Sequence, residues 1–190
     1  MHRFKFLPIT LLILCLSAIP VFAGNNAAIS KTGDKAWDAF IRLQTDWTQQ
    51  LRDLVLKEKK DFKDIADLSY QWRLAEMKLD TLKFLYLKKN RADTIERDKG
   101  LPAFVTLEWF PEYSEKLEKA DPKFHKQELL AASLKKKVEK HKNWEGLQDF
   151  LKQIQKSDAH KKRFEDFLSE MNSVQKILAK SAAEEMRARQ

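Results

Sequence analysis

The residues able to do chemistry are few, and their spacing suits little of it. The chain of 190 residues has four histidines, His2, His125, His141 and His160, and one cysteine, Cys15. A di-metal carboxylate centre in a helical bundle needs Glu-x-x-His twice, so that both ligands project from one helix face. This sequence has His125-x-x-Glu128 once, in the reverse order, and Glu139-x-His141, whose i,i+2 spacing points the two side chains apart. Covalent haem would need Cys-x-x-Cys-His. Met77 and Met171 fall at seam positions, where methionine packs, so haem ligation by them with His141 or His160 is not expected. His160 opens an apolar seam and reads as a boundary residue bonded to a neighbour. There is no Gly-x-Ser-x-Gly, no His-Glu-x-x-His and no phosphate loop. Glu112, Glu115 and Glu118 share one side of a short helix and read as a solvated face. The expectation is therefore no catalytic residue, no metal and no cofactor. An enzyme whose site is assembled from distant residues is the last alternative.

What remains is suited to binding. Of five tryptophans, Trp37, Trp72 and Trp144 sit in apolar seams and are expected in the core, whereas Trp47 and Trp109 are the candidates for exposure. Residues 101–113 form the most aromatic stretch, bounded by Pro102 and Pro111. It reads either as a core plug at one end of a bundle or as a patch that docks a protein partner through Phe104, Trp109, Phe110 and Tyr113. Lys135, Lys136, Lys137, Lys140 and Lys142 flank the apolar face of another helix and suit an anionic surface, membrane or lipopolysaccharide.

Helices must position all of these. Leu68, Trp72, Ala75, Leu79, Leu82 and Tyr86 recur at 4,3,4,3,4, one seam of a helix. Tyr70, Leu74, Met77, Thr81 and Phe84 form a second seam two residues out of phase, about 200° around the helix. A helix apolar on opposite sides must be covered on both, so residues 68–86 are expected at the centre of an all-α fold. Such a helix also suits a homo-oligomer core. Ahead of it, Asp34 should cap a helix carrying Trp37, Phe40, Gln44, Trp47 and Leu51. The charged run at 57–61 marks a turn, or else the two helices are continuous.

The central helix should end near Asn90 or run on to Lys99. Asp93-Thr94-Ile95-Glu96 has the pattern of a capping box, and Gly100 followed by Pro102 marks a stop. Asp121-Pro122 starts the next helix, with Phe124, Gln127, Leu130/Ala131, Leu134, Val138 and His141 on its apolar face. Asn143 can cap a restart. Ser157 or Asp158 should cap the last long helix, with its seam of His160, Phe164, Phe167, Met171, Val174 and Leu178. The reading is an antiparallel helical bundle of four to five main helices, with a short aromatic-rich helix or loop between its halves.

The flanks differ. Residues 1–23 have a basic start, an apolar run too short for a comfortable span and a small residue at the end, the pattern of a secretory signal peptide. An uncleaved anchor is the rival, and Cys15 after Leu14 is poorly placed for lipidation. Residues 24–33 read as a flexible leader, 34–181 as the bundle domain and 182–190 as a frayed tail. Cleavage would remove the only cysteine, so burial and not a disulfide must hold the fold. It would also leave 34 of the 36 basic residues against 28 acidic ones, a net charge of +6. Export makes nucleic acid an improbable partner, and the absence of Asn-x-Ser/Thr acceptors leans toward a bacterial protein. The functional expectation is an exported, periplasmic or secreted, non-enzymatic binding, adaptor or chaperone-like protein. A peripheral binder of anionic surfaces is the alternative.

Overall fold

Asp34 starts α1 (Lys35–Glu58) as its sequence position predicts, its Oδ1 accepting the Trp37 N–H at 3.1 Å. The computed structural model describes residues 29–188; the signal segment expected over 1–23 and the leader residues 24–28 lie outside the described residues. Thr32 and Gly33, expected in a flexible leader, are instead tied down. Thr32 N–H and Oγ1 both donate to Asp38 Oδ1 at 2.8 Å, and the Gly33 N–H donates to Asp38 Oδ2 at 3.2 Å.

The charged run after α1 is a turn. Lys59 leaves helical geometry at φ −139°, and a single 3-10 turn, Lys60–Phe62, leads into α2 (Lys63–Asn90). With no apolar side chain between Lys57 and Asp61, continuing the helix there would bury nothing. α2 stops at Asn90, and the expected capping box at 93–96 does not form. Asp93 pairs with Arg91 at 3.2 Å, and two 3-10 turns, Ala92–Thr94 and Arg97–Lys99, carry the chain to Gly100. Gly100 takes φ +73°, and a Cβ there would lie 2.3 Å from the Gln175 side chain. Gln175 Oε1 accepts the Leu101 N–H at 2.9 Å.

The short α3 (Pro102–Val105) and α4 (Pro111–Ala120) follow, each with proline in its first turn. Asp121 Oδ1 then accepts the Lys123 N–H at 2.9 Å and caps α5 (Pro122–Glu139). α6 (Trp144–Lys156), a 3-10 turn at Asp158–His160 and α7 (Lys161–Ala188) complete the chain. Asn143 and Ser157 precede these helices without a side-chain cap bond; the Asn143 amide donates instead to Asp61 O at 3.3 Å. α7 runs on to Ala188 where fraying was expected after residue 181, because the Ala, Glu, Met and Arg residues there all favour helix. No strand occurs among the described residues, and the fold is an all-α helical bundle.

Contacts divide the chain into two compact units where the sequence suggested one domain. Among the described residues, the first contains Trp47–Arg73 and Ala132–Leu168; the second contains 29–46, Leu74–Ala131 and 169–188. In the second unit α1 and α2 run antiparallel, since Trp37 Nε1 donates to Thr81 Oγ1 at 3.3 Å while Thr45 Oγ1 meets Met77 Sδ at 3.4 Å. Its core is a ring cluster. Trp37 stacks on Phe84 at 4.1 Å between centroids, and Phe104 stands edge-on to both.

Against this cluster lies a buried ion pair that no spacing rule predicts. Arg97 Nη2 donates to Asp34 Oδ2 at 2.6 Å, and Lys88 Nζ reaches the same oxygen at 3.2 Å. The Arg97 guanidinium lies 5.9 Å from the Phe84 ring centre and 5.7 Å from that of Phe104. Burial by itself would raise the Asp34 carboxyl. The Arg97 hydrogen bond, the Trp37 N–H, the Arg97 charge and the Lys88 hydrogen bond together outweigh it and hold the carboxyl below its ordinary value.

In the first unit Trp47 is buried, not exposed as one reading of the sequence had it. Its ring stacks on Phe167 at 4.3 Å and meets Phe164 edge-on at 5.2 Å. Ile65, Val138, Leu147, Leu151 and Ile154 fill the rest. Arg52 bonds Asp67 at 2.5 Å, again pairing α1 with α2.

Asp34 thus caps a helix and neutralises a buried cation. Replacing it with Ala should cost about 3–5 kcal/mol, because the Arg97 charge is left without its carboxylate; urea unfolding at neutral pH measures this. A carboxyl depressed on folding contributes stability that is complete above its ordinary value of 3.8 and is lost as pH falls through the lower folded value. Acid unfolding of the wild type should therefore be steeper below that pH than that of Asp34→Ala.

Candidate functional site

α5 presents the most distinctive surface. Its inward stripe is Phe124, Gln127, Ala131, Leu134 and Val138, as the spacing predicts, with Gln127 Nε2 donating to Ala75 O at 2.8 Å. The outward side carries Leu129 at 57 % and Leu130 at 48 % exposure; Leu130, expected on the apolar face beside Ala131, is turned to solvent because Ala131 takes the inward position. At 100° per residue, Lys136 falls about 20° from Leu129 and Lys137 about 20° from Leu130. Two leucines and two lysines therefore share one face. Lys135, Lys136, Lys137, Lys140 and Lys142 are all exposed. Lys135 approaches Glu139 at 4.0 Å and lies 5.9 Å from the Trp72 ring centre, so its charge is partly engaged. Among the described residues no helix is long and apolar enough to cross a membrane.

The aromatic segment is mostly core. Phe104 and Tyr113, expected to face a partner, are buried. Phe104 completes the Trp37 cluster, and the Tyr113 hydroxyl accepts from Arg91 Nη1 at 2.9 Å. Trp109 is half-buried among Tyr86, Tyr113 and Phe124, with Nε1 donating to Ser114 Oγ at 2.9 Å. Only Phe110, at 40 %, presents its ring to solvent. The physical reason is the need to cover the second flank of α2, which draws these rings inward.

Histidines and carboxylates gather at the edges. His160 Nε2 lies 3.1 Å from Glu58 Oε1, the boundary role expected of it, and His141 Nδ1 accepts the Asn143 N–H at 3.1 Å. His125 Nδ1 lies 2.9 Å from Glu118 Oε1, and with Glu128 their ligand atoms fall within 4.8 Å of one another. The turn at Asp121 folds α4 against the start of α5 and makes this group, which the one-helix motif search could not see. It is the geometry of a weak divalent-cation site and equally of a surface ion pair.

A further feature lies in the first unit. A cleft of about 380 Å³, including its open mouth, runs between α1, α2 and α6. Leu51, Val55, Ala66, Leu147 and Leu151 make it largely apolar, and Trp47, Ser69, Arg52 and Arg73 also border it. Trp47 and Ser69 are 3 % and 2 % exposed, yet Trp47 Nε1 and Ser69 Oγ find no hydrogen-bond partner among the described residues. Leaving such a group unsatisfied costs about 1–3 kcal/mol. A lone serine in a helix carries no sequence signal of this kind.

No protein-family model, curated protein or solved structure matches the chain.

The split of the aromatic segment into core and surface has a direct readout. Phe104→Ala should cost about 3–5 kcal/mol in denaturant unfolding. Phe110→Ala should stay within about 0.5 kcal/mol of wild type, as surface substitutions do.

Proposed function

We propose that the protein is an exported, non-enzymatic binding protein that attaches peripherally to anionic lipid headgroups through the outward face of α5. The observation that carries this reading is the pairing of exposed Leu129 and Leu130 with exposed lysines on one helix. Lysines draw the helix to a negative surface within a Debye length, about 10 Å at 0.1 M salt. Leucines then enter the headgroup boundary, and the lysine stems reach outward to keep their charge wet. Export is part of the proposal and rests on the pattern of residues 1–23.

The reading as a protein adaptor at residues 104–113 is supported less well. With Phe104 and Tyr113 in the core, one exposed ring is a small surface on which to seat a partner.

Cosedimentation with vesicles rich in phosphatidylglycerol tests the proposal. Binding is expected at low salt, falling steeply at high salt, with little to phosphatidylcholine vesicles. Lys136→Glu combined with Lys137→Glu should abolish it without changing the melting temperature. Leu129→Ala with Leu130→Ala should weaken it while leaving its salt dependence intact. No binding to anionic vesicles at low salt overturns the reading.

A further inference from the structure

We infer that Glu118, His125 and Glu128 bind a zinc ion on the surface of the second unit. His125 Nδ1 lies 2.9 Å from Glu118 Oε1, and one ligand atom from each of the three residues falls within 4.8 Å of the other two. Among the described residues Glu128 makes no hydrogen bond or ion pair, and Glu118 pairs with His125 alone. The chain carries 36 Lys and Arg against 28 Asp and Glu, yet no described lysine or arginine pairs with either carboxylate. Two carboxylates that converge on one imidazole, neither of them neutralised by a basic side chain, form a ligand set and not a completed salt bridge.

The backbone holds the three residues in register. Glu118 lies in the last turn of α4, and His125 and Glu128 are an i,i+3 pair in the first two turns of α5, so they share a face. Only Asp121 stands between the helices, its backbone extended and its Oδ1 capping α5. Leu117 and Phe124 are buried beside this turn, and Phe124 packs on Trp109 at 5.8 Å between centroids. The core therefore fixes both helix backbones, while the His125 and Glu118 side chains stay 52 % and 37 % exposed and free to adjust. Two ligands of a tetrahedral zinc ion lie about 3.4 Å apart, so the His125–Glu118 contact opens by about half an ångström and Glu128 closes by no more than about 1.4 Å. Rotation of exposed side chains covers both movements.

The donor set selects the metal. Imidazole favours zinc and its transition-metal neighbours, whereas calcium takes about six to eight oxygens and magnesium a near-ideal octahedron of them. Two carboxylates and one nitrogen are too few oxygens for either. Zinc is satisfied by three protein ligands, with a fourth position left to water. These ligands are partly exposed, and among the described residues no further hydrogen bond orients His125 or Glu128, so the site is weaker than a structural four-ligand zinc centre. What the ion supplies is a clip across Asp121, joining the end of α4 to the start of α5.

Zinc chloride is the probe, titrated at neutral pH into the metal-freed full chain in competition with a chromophoric chelator of micromolar affinity. The chain should take zinc from the chelator, and a large excess of magnesium or calcium should not displace it. Loss of even an outer partner costs about 10–100-fold in metal affinity, so His125→Ala and Glu128→Gln should each weaken binding at least tenfold. His141→Ala should leave it unchanged. None of these side chains is buried, so without metal the variants should melt as the wild type does. Saturating zinc should raise the melting temperature of the wild type and leave that of His125→Ala unmoved. The imidazole resonances of His125, assigned by their loss in His125→Ala, should shift as zinc is added. Zinc binding that His125→Ala and Glu128→Gln leave unchanged overturns the inference, because the ion then sits elsewhere on the chain. So does a failure to compete with the chelator, which reduces the cluster to a surface ion pair, or equal competition by calcium. The inference is independent of the lipid reading of α5: with chelator present, His125→Ala should bind anionic vesicles as wild type does.

Discussion

α2 has almost no solvent face. Between Ile65 and Leu87 only Leu85 is exposed, and the helix buries Ile65, Ala66, Tyr70 and Trp72 in one unit and Ala75, Met77, Leu79, Phe84 and Leu87 in the other. A helix so enclosed gains its stability from tertiary packing and not from its own turns. It also passes the cost of burial to each polar side chain it carries. Thr81 meets that cost locally, donating to Met77 O at 2.7 Å and accepting from Trp37. Ser69 does not: its Oγ finds no hydrogen-bond partner among the described residues.

The Asp34–Arg97 pair acts on a different part of the chain. The segment from Arg91 to Phe110 contains only 3-10 turns and one short α-helix, too little regular structure to hold a position by itself. Arg97 anchors it by burying its charge against a carboxylate that already caps α1. Buried ion pairs are seldom a net gain over apolar packing, but breaking one is severe. Here the pair fixes where the connecting segment docks, and Phe104 is thereby delivered to the Trp37 cluster. Packing of that segment against α2 is also why the aromatic stretch, which reads so readily as a sticky patch, is mostly interior.

Much of the architecture was legible from residue spacing. The opposed seams of α2, the caps at Asp34 and Asp121, the proline starts and the turn after Glu58 all follow from local rules with short reach. The lysines of α5 were legible as a group, but their exposed leucine neighbours were not, since Leu129 and Leu130 resemble core residues until the packing is known. The capping box at 93–96 does not form: the Asp93 carboxylate pairs with Arg91, and no α-helix starts there for it to cap. Trp47 was misjudged because its partners, Phe164 and Phe167, lie more than a hundred residues away in sequence.

By itself the sequence determined that this chain is helical, where most helices begin, and that one of them is covered on two flanks. Those are consequences of periodicity and of side chains bonding their own backbone, interactions spanning only a few residues. Tertiary structure alone decided that Asp34 meets Arg97, 63 positions on, that Glu118 meets His125 and Glu128, and that Trp47 and Ser69 share a cleft. Each of these depends on which turn of one helix faces which turn of another. Registration of that kind is set by the joint packing of many side chains, and no local pattern encodes it.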